Sequence, residues 1–128
     1  MDQSQINLPD VLAEAKAAFA KYEQALVTND VATLDALFWV SPHTIRYGIT
    51  ECLHGYDEIA AFRAARSPKN LARDLANTVI TTFGRDLATA STEFRRATTP
   101  KLGRQQQTWV KFPEGWRVVA AHVSFMEG

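Results

Sequence analysis

Arginines, a tyrosine and a run of glutamines are the side chains in this sequence whose types could do chemistry. Arg46 stands inside TIRYGITE, residues 44–51, where Thr44, Ile45, Tyr47 and Ile49 favour extended structure and Gly48 breaks or bends it. A guanidinium there either reaches solvent from one face of a sheet or points inward. An inward charge must be answered, because burying it alone costs on the order of several kcal/mol. Its planar fork can grip a carboxylate through two parallel hydrogen bonds. The answering group is then a ligand carboxylate or one of the protein's own. Glu51 and Glu93 are the internal candidates, and either would weaken the ligand case. Tyr22 is the second group of interest. A phenol, with a reference pKa of about 10, is a more natural proton donor or orienting group than a resting base. The competing reading is a core tyrosine whose hydroxyl finds one partner.

Arg63 and Arg66 lie three apart on a helical segment, so they share one side of it. Beside a pocket mouth they would form a positive collar for small acids; on the surface they would be solvated. Arg73 is a further basic group at a loop–strand boundary. In GRQQQTW, Gln105, Gln107 and Trp109 share one strand face and Gln106 and Thr108 the other. Trp109 favours the odd face as the inward one. Three consecutive glutamines suit a strand poorly, and either a polar pocket wall or an exposed sheet face accounts for them. His122 sits two residues before Ser124 on the last strand, yet no acid is placed to complete a Ser-His-Asp triad, so a hydrogen-bonded wall histidine is the expectation. His43, His54 and His122 have no metal-ligand spacing. Cys52, the single cysteine, has no disulfide partner and no activating neighbour. No GxGxxG or P-loop pattern occurs, so neither a metal nor an organic cofactor is expected.

The frame holding these groups is one domain over residues 1–128: the chain can bury a real core but not two. Apolar residues make up 46% and charged residues 22%, a globular composition. Fourteen acidic residues balance fourteen basic ones, without the basic stripe a nucleic-acid partner demands. Nine of the basic residues are arginines, the residue suited to planar anions. No apolar run approaches membrane-spanning length and no secretory apolar segment precedes the first helix, so a cytoplasmic setting is expected and no membrane partner.

Hydrophobic spacing predicts a helix over 9–28, with Val11, Ala15, Ala18, Phe19, Tyr22 and Leu26 on one stripe, and a short second helix over 31–38 after a capping signal at Asn29-Asp30. An extended piece follows at 43–49, then a turn-like segment through Gly55 and a third helix from about Asp57 to Arg66. The period then changes. Strands are expected at 75–82, 87–96, 104–112 and 116–125, joined by hairpin turns at 83–86 and 113–115 and by a loop at ATTPKLG. Helices first and antiparallel strands after suit an α+β arrangement, with helices against the concave face of a bent sheet and a conical cavity between them.

The stretches ALFWVSPHTIRYG (36–48), AAFRAARSP (60–68), TTFGRDLATASTEFRR (81–96) and GRQQQTWVKFPEGWRVVAAHVSF (103–125) together resemble the AtzH-like group of the NTF2-like, cone-shaped α+β superfamily. The resemblance runs from about residue 10 onward. It implies a curved, mostly antiparallel sheet whose N-terminal helices enclose a pocket, and a homodimer through the outer sheet surface. This group looks like small proteins of cyanuric acid and oxalurate breakdown, one branch acting as a 1,3-dicarboxyurea deamidase. Carried over, Tyr22 and Arg46 are the implied catalytic pair. Arg63, Arg66, Gln107, Trp109 and His122 complete the anion-binding wall or mouth, and the partner is a small anionic urea or amide derivative. The alternative is a non-enzymatic carboxylate-binding or accessory protein supporting an amidase of the same pathway.

Overall fold

Pro9 occupies the first position of α1 (Pro9–Val27), where its missing N–H is no loss. The helix buries Val11, Ala15, Phe19, Tyr22, Ala25 and Leu26, a stripe close to the one read from spacing. It ends where Asn29 turns to φ +52°. There the Asn29 N–H donates to the Leu26 carbonyl and the Asp30 N–H to the Ala25 carbonyl, a Schellman closure. Asp30 at once caps α2 (Val31–Leu37): its carboxylate accepts from the backbone N–H and the hydroxyl of Thr33. Two residues thus end one helix and start the next. The computed structural model describes residues 1–127.

Two short strands, β1 (Ile45–Tyr47) and β2 (Cys52–His54), form a hairpin before α3 (Tyr56–Ala65). Then come β3 (Asp74–Phe83), β4 (Leu87–Arg95), β5 (Gly103–Phe112) and β6 (Gly115–Phe125). The six strands make one sheet in the order β2-β1-β6-β5-β4-β3, which does not close on itself. The α+β expectation holds, with one addition. Residues 52–54, read as turn-like, form the edge strand β2, because Gly48 N–H donates to the Glu51 carbonyl and folds the chain back. The sheet is also mixed: β1 runs parallel to the last strand, Arg46 opposite Ala121. Sequence spacing fixes neighbours within a hairpin, not this long-range pairing.

Two irregularities bend the sheet. Asn77 and Thr78 oppose Thr92 alone in β3–β4, and β5–β6 skips Val119, with Thr108 facing Ala120 and Trp109 facing Val118. On the inner face Ala88, Ala90, Trp109, Trp116, Val118 and Ala121 pack against α1, α2 and Ile59 of α3. The odd face of β5 is indeed the inward one, with Gln105, Gln107 and Trp109 all buried.

Besides the exposed pairs of Asp10 with Arg85 and Glu14 with Lys111, a sheltered ion pair ties α1 to the sheet. Arg73, directly before β3, donates through Nε to Glu23 Oε2 at 3.0 Å and through Nη2 to Glu23 Oε1 at 2.7 Å. Its Nη2 also reaches Gln105 Oε1 at 3.0 Å, and the guanidinium lies over the Phe94 ring at 4.6 Å. Phe94 in turn lies flat across Gly103, its register partner on β5.

Two substitutions test this frame. A Cβ at residue 103 would stand 2.2 Å from the fully buried Phe94 ring, so Gly103→Ala should lower stability by about 1–3 kcal/mol in urea titration, with the slope unchanged. Glu23→Ala strands the buried Arg73 charge and should cost about 3–5 kcal/mol in the same assay.

Candidate functional site

Arg46 extends from β1 and lies only 13% exposed. Of the two directions open to it, the structure takes the sheltered one, and the answering group is internal. Arg46 Nη1 donates to Glu51 Oε1 at 2.8 Å, and the guanidinium lies 5.5 Å from the centroid of the Phe62 ring. Glu93 accepts from Asn77 instead. A cavity of about 310 Å³ opens beside the pair, with Arg46, Glu51, Phe62, Arg66, Arg96 and Val123 in its wall.

Arg66 and Arg96 differ from Arg46 in having no carboxylate. The Nε and Nη2 of Arg66 and the Nε of Arg96 are buried without a hydrogen-bond partner. Burial pulls the Arg66 guanidinium below its ordinary pKa, and Arg46 adds to this by repulsion; Tyr22 acts the other way, and Arg63 and Arg96 contribute further repulsion. Arg96 is lowered by burial first, then by Arg73 and Arg46. Both remain cations, since arginine does not lose its proton near neutral pH. The wall therefore holds two half-buried guanidiniums with N–H donors, Nε and Nη2 of Arg66 and Nε of Arg96, that are withdrawn from water and directed at nothing in the protein.

Tyr22 belongs to the inner stripe of α1, buried between Phe38 and Trp109; its ring meets Trp109 edge-on at 6.3 Å. It is not among the residues that line the cavity beside Arg46. Behind it, the indole Nε1 of Trp109 donates to Gln107 Oε1 at 3.0 Å. An indole N–H can only donate, as can Arg73, so both Gln107 and Gln105 must present their carbonyl oxygens to these neighbours. Their amide nitrogens are left buried and without partners. The glutamine run thus supplies a polar inner face with surplus donors.

Other expected wall residues lie elsewhere. Arg63 is buried, but its Nη1 donates to Asp35 of α2 at 2.6 Å and its guanidinium covers Phe38 at 4.6 Å. It fastens α3 to α2. Arg63 and Arg66 do not act as one collar, because α3 ends at Ala65 and Arg66 continues in extended backbone, turning into the cavity. His122 is exposed on the opposite side of β6 from Ala121 and Val123 and meets Tyr47 edge-on at 6.1 Å. The β6 pleat, in which residue 121 faces inward, sends 122 outward. Cys52 is free and exposed, and no cluster of His, Cys, Asp and Glu that could hold a metal occurs among the described residues. No described helix is long and apolar enough to cross a membrane.

Glu51, one of the two internal partners expected for Arg46, is the one that meets it, whereas Arg96 is a charged wall residue that the sequence reading did not single out. A signal for Arg96 was present: Ala88, Ala90, Thr92 and Phe94 alternate inward along β4, and Arg96 continues their parity.

A family model described as AtzH-like matches residues 4–128. A DUF3225-family protein of unknown function from Pectobacterium atrosepticum is 59% identical, with a TM-score of 0.98 and 99% of each chain covered. A cystatin-like fold protein from Burkholderia xenovorans is 51% identical, with a TM-score of 0.92 over 96% of this chain and 97% of that one. An NTF2-like superfamily protein from Salmonella enterica is 26% identical at a TM-score of 0.73, with 93% of each chain covered. No curated protein matches the chain. With a family match across nearly its whole length and an NTF2-like, cystatin-like fold, the chain belongs to the AtzH-like family.

Proposed function

We propose that this protein is a cofactor-independent hydrolase that cleaves a C–N bond of a small dicarboxylated urea, of the 1,3-dicarboxyurea type. The observation that carries the reading is the unpartnered buried N–H groups of Arg66 and Arg96 around the cavity that Arg46 also lines. A buried cation without an anion is costly, and a carboxylate supplies what these groups lack. Two unanswered guanidiniums beside a third suit a molecule with two acidic ends. The cavity volume of about 310 Å³ suits a short one.

The chemistry follows from the donors. Arg46 takes one carboxylate and polarises the neighbouring urea carbonyl as negative charge develops on its oxygen, and Arg66 and Arg96 take the other carboxylate. Water adds to the carbonyl carbon and the C–N bond breaks. The departing nitrogen keeps the electron pair and takes a proton from Tyr22, whose proton is replaced from the attacking water. One product is a carbamic acid, which decomposes to ammonia and carbon dioxide.

A specific observation favours the second reading, carboxylate binding without turnover, for instance in support of a pathway amidase. Arg46 is already held by Glu51, and Glu51 is the one carboxylate in the cavity wall among the described residues. The homodimer that the resemblance implies is part of the proposal. It would use the outer sheet face, where His122 and Gln106 are exposed, rather than the cavity.

Ammonia release from freshly generated 1,3-dicarboxyurea and from oxalurate, by wild type and Arg46→Ala, separates the two readings. Turnover by the wild type with a loss of about 100-fold or more in Arg46→Ala is expected. Malonate binding without acceleration of either substrate would leave the binding reading. Arg66→Leu removes a half-buried charge that no carboxylate meets. It should therefore keep or raise the melting temperature of the free protein while weakening malonate binding about tenfold or more in calorimetry, since hydrogen bonds to charged groups contribute about 1.5–3 kcal/mol.

A further inference from the structure

Gly48 and Glu51 belong to one device. The β1–β2 turn brings Glu51 back over Gly48, so that a Cβ at residue 48 would stand 1.6 Å from Glu51 Oε1 and 3.0 Å from Arg46 Nη1. Gly48 has no positive φ to explain its choice; it leaves the space through which the Glu51 carboxylate reaches Arg46. Oε1 rests on Arg46 and Oε2 accepts from the Thr50 hydroxyl at 2.7 Å and the Thr50 N–H at 3.2 Å. The carboxylate is 17% exposed and stands in the same cavity wall as the cations Arg66, Lys69 and Arg96. It occupies Arg46 as a ligand carboxylate would.

We propose that Glu51 is the exchangeable carboxylate of this pocket and the base of its reaction: a ligand carboxylate displaces it from Arg46, and the released Glu51 takes the proton of the attacking water. This rests on the hydrolase reading above. Exchange replaces one carboxylate on Arg46 by another, so no cation is left unanswered. Burial raises the Glu51 pKa, while the hydrogen bonds from Thr50 and Arg46 more than offset it and hold the group below the ordinary glutamate value. Losing Arg46 removes part of that depression and makes the carboxylate a stronger base. The protons balance. Water's oxygen bonds to the carbonyl carbon as its proton passes to Glu51; the C–N bond breaks and nitrogen takes the Tyr22 proton; the proton on Glu51 then restores Tyr22. The cycle needs no co-reactant other than water.

Calorimetric titration with malonate and ammonia release from 1,3-dicarboxyurea, on wild type, Glu51→Gln and Gly48→Ala, test this. Glu51→Gln removes the competing charge, so malonate should bind about threefold tighter or more, while ammonia release falls about 100-fold or more. In Gly48→Ala the added methyl meets the ends of two flexible side chains, overlapping the Glu51 carboxylate and touching Arg46 Nη1 at 3.0 Å. It should push the carboxylate off Arg46 and tighten malonate binding likewise, yet keep ammonia release within about tenfold of wild type, because the base is still present. Unchanged or weaker malonate binding in both variants overturns the exchange. Ammonia release by Glu51→Gln within about threefold of wild type overturns the base. If wild type binds malonate but releases no ammonia, the hydrolase reading and the base role fall together, and the malonate arm alone judges the exchange.

Discussion

A guanidinium withdrawn from water must be met by an anion, and this constraint organises the interior. Arg63 meets Asp35, Arg73 meets Glu23, and Arg46 meets Glu51. The first two pairs join elements: α3 to α2, and the start of β3 to α1. Arg66 and Arg96 have no such partner. Their charges oppose one another and those of Arg46 and Arg73, and the fold bears that cost around one cavity. N–H donors left open in this way are what the proposed anionic ligand would complete.

The aromatic residues allow the cations to be packed so closely. Phe38 carries Arg63, Phe62 lies beside Arg46, and Phe94 lies between Arg73 and Arg96. A ring face offers a cation partial electrostatic compensation without using up its N–H donors. Phe94 can serve two arginines because its strand partner is Gly103, which leaves room for the ring. Trp109 acts differently: by fixing the carbonyl of Gln107 it leaves an amide N–H₂ unsatisfied on the inner face. Gln105 and Gln107 thus both give their acceptors to the structure and leave their amide donors open.

The β1–β2 hairpin is where structure and chemistry meet. In TIRYGITE the arginine, the glycine and the glutamate form one unit, although they read as a charged residue in a strand, a break and a turn residue. Glu51 makes the pocket's resting state neutral at Arg46 without filling the cavity. Ser67, Lys69 and Asn70, in the loop that follows α3, also line the cavity.

The sequence by itself determined the helix stripes, the Asn29-Asp30 junction, the long strands and the inward parity of Gln105, Gln107 and Trp109. Each follows from a period of 3.6 or 2 or from local capping, which neighbouring residues set among themselves. The alternation along β4 carried Arg96 inward, whereas the pairing of Tyr22 with Arg46 is implied by the family resemblance alone, and Tyr22 is not in the cavity wall that holds Arg46. Only the tertiary structure decided which charges pair. Arg63 was bound for Asp35, 28 positions away in the chain, and Arg73 for Glu23, 50 positions away. His122 turned outward because the parallel pairing of β1 with β6 and the bulge at Val119 set which face of the last strand meets the helices. Charge pairing depends on distances across elements, and no local period carries that information. It separated the arginines that meet a carboxylate, Arg46, Arg63 and Arg73, from Arg66 and Arg96, which meet none.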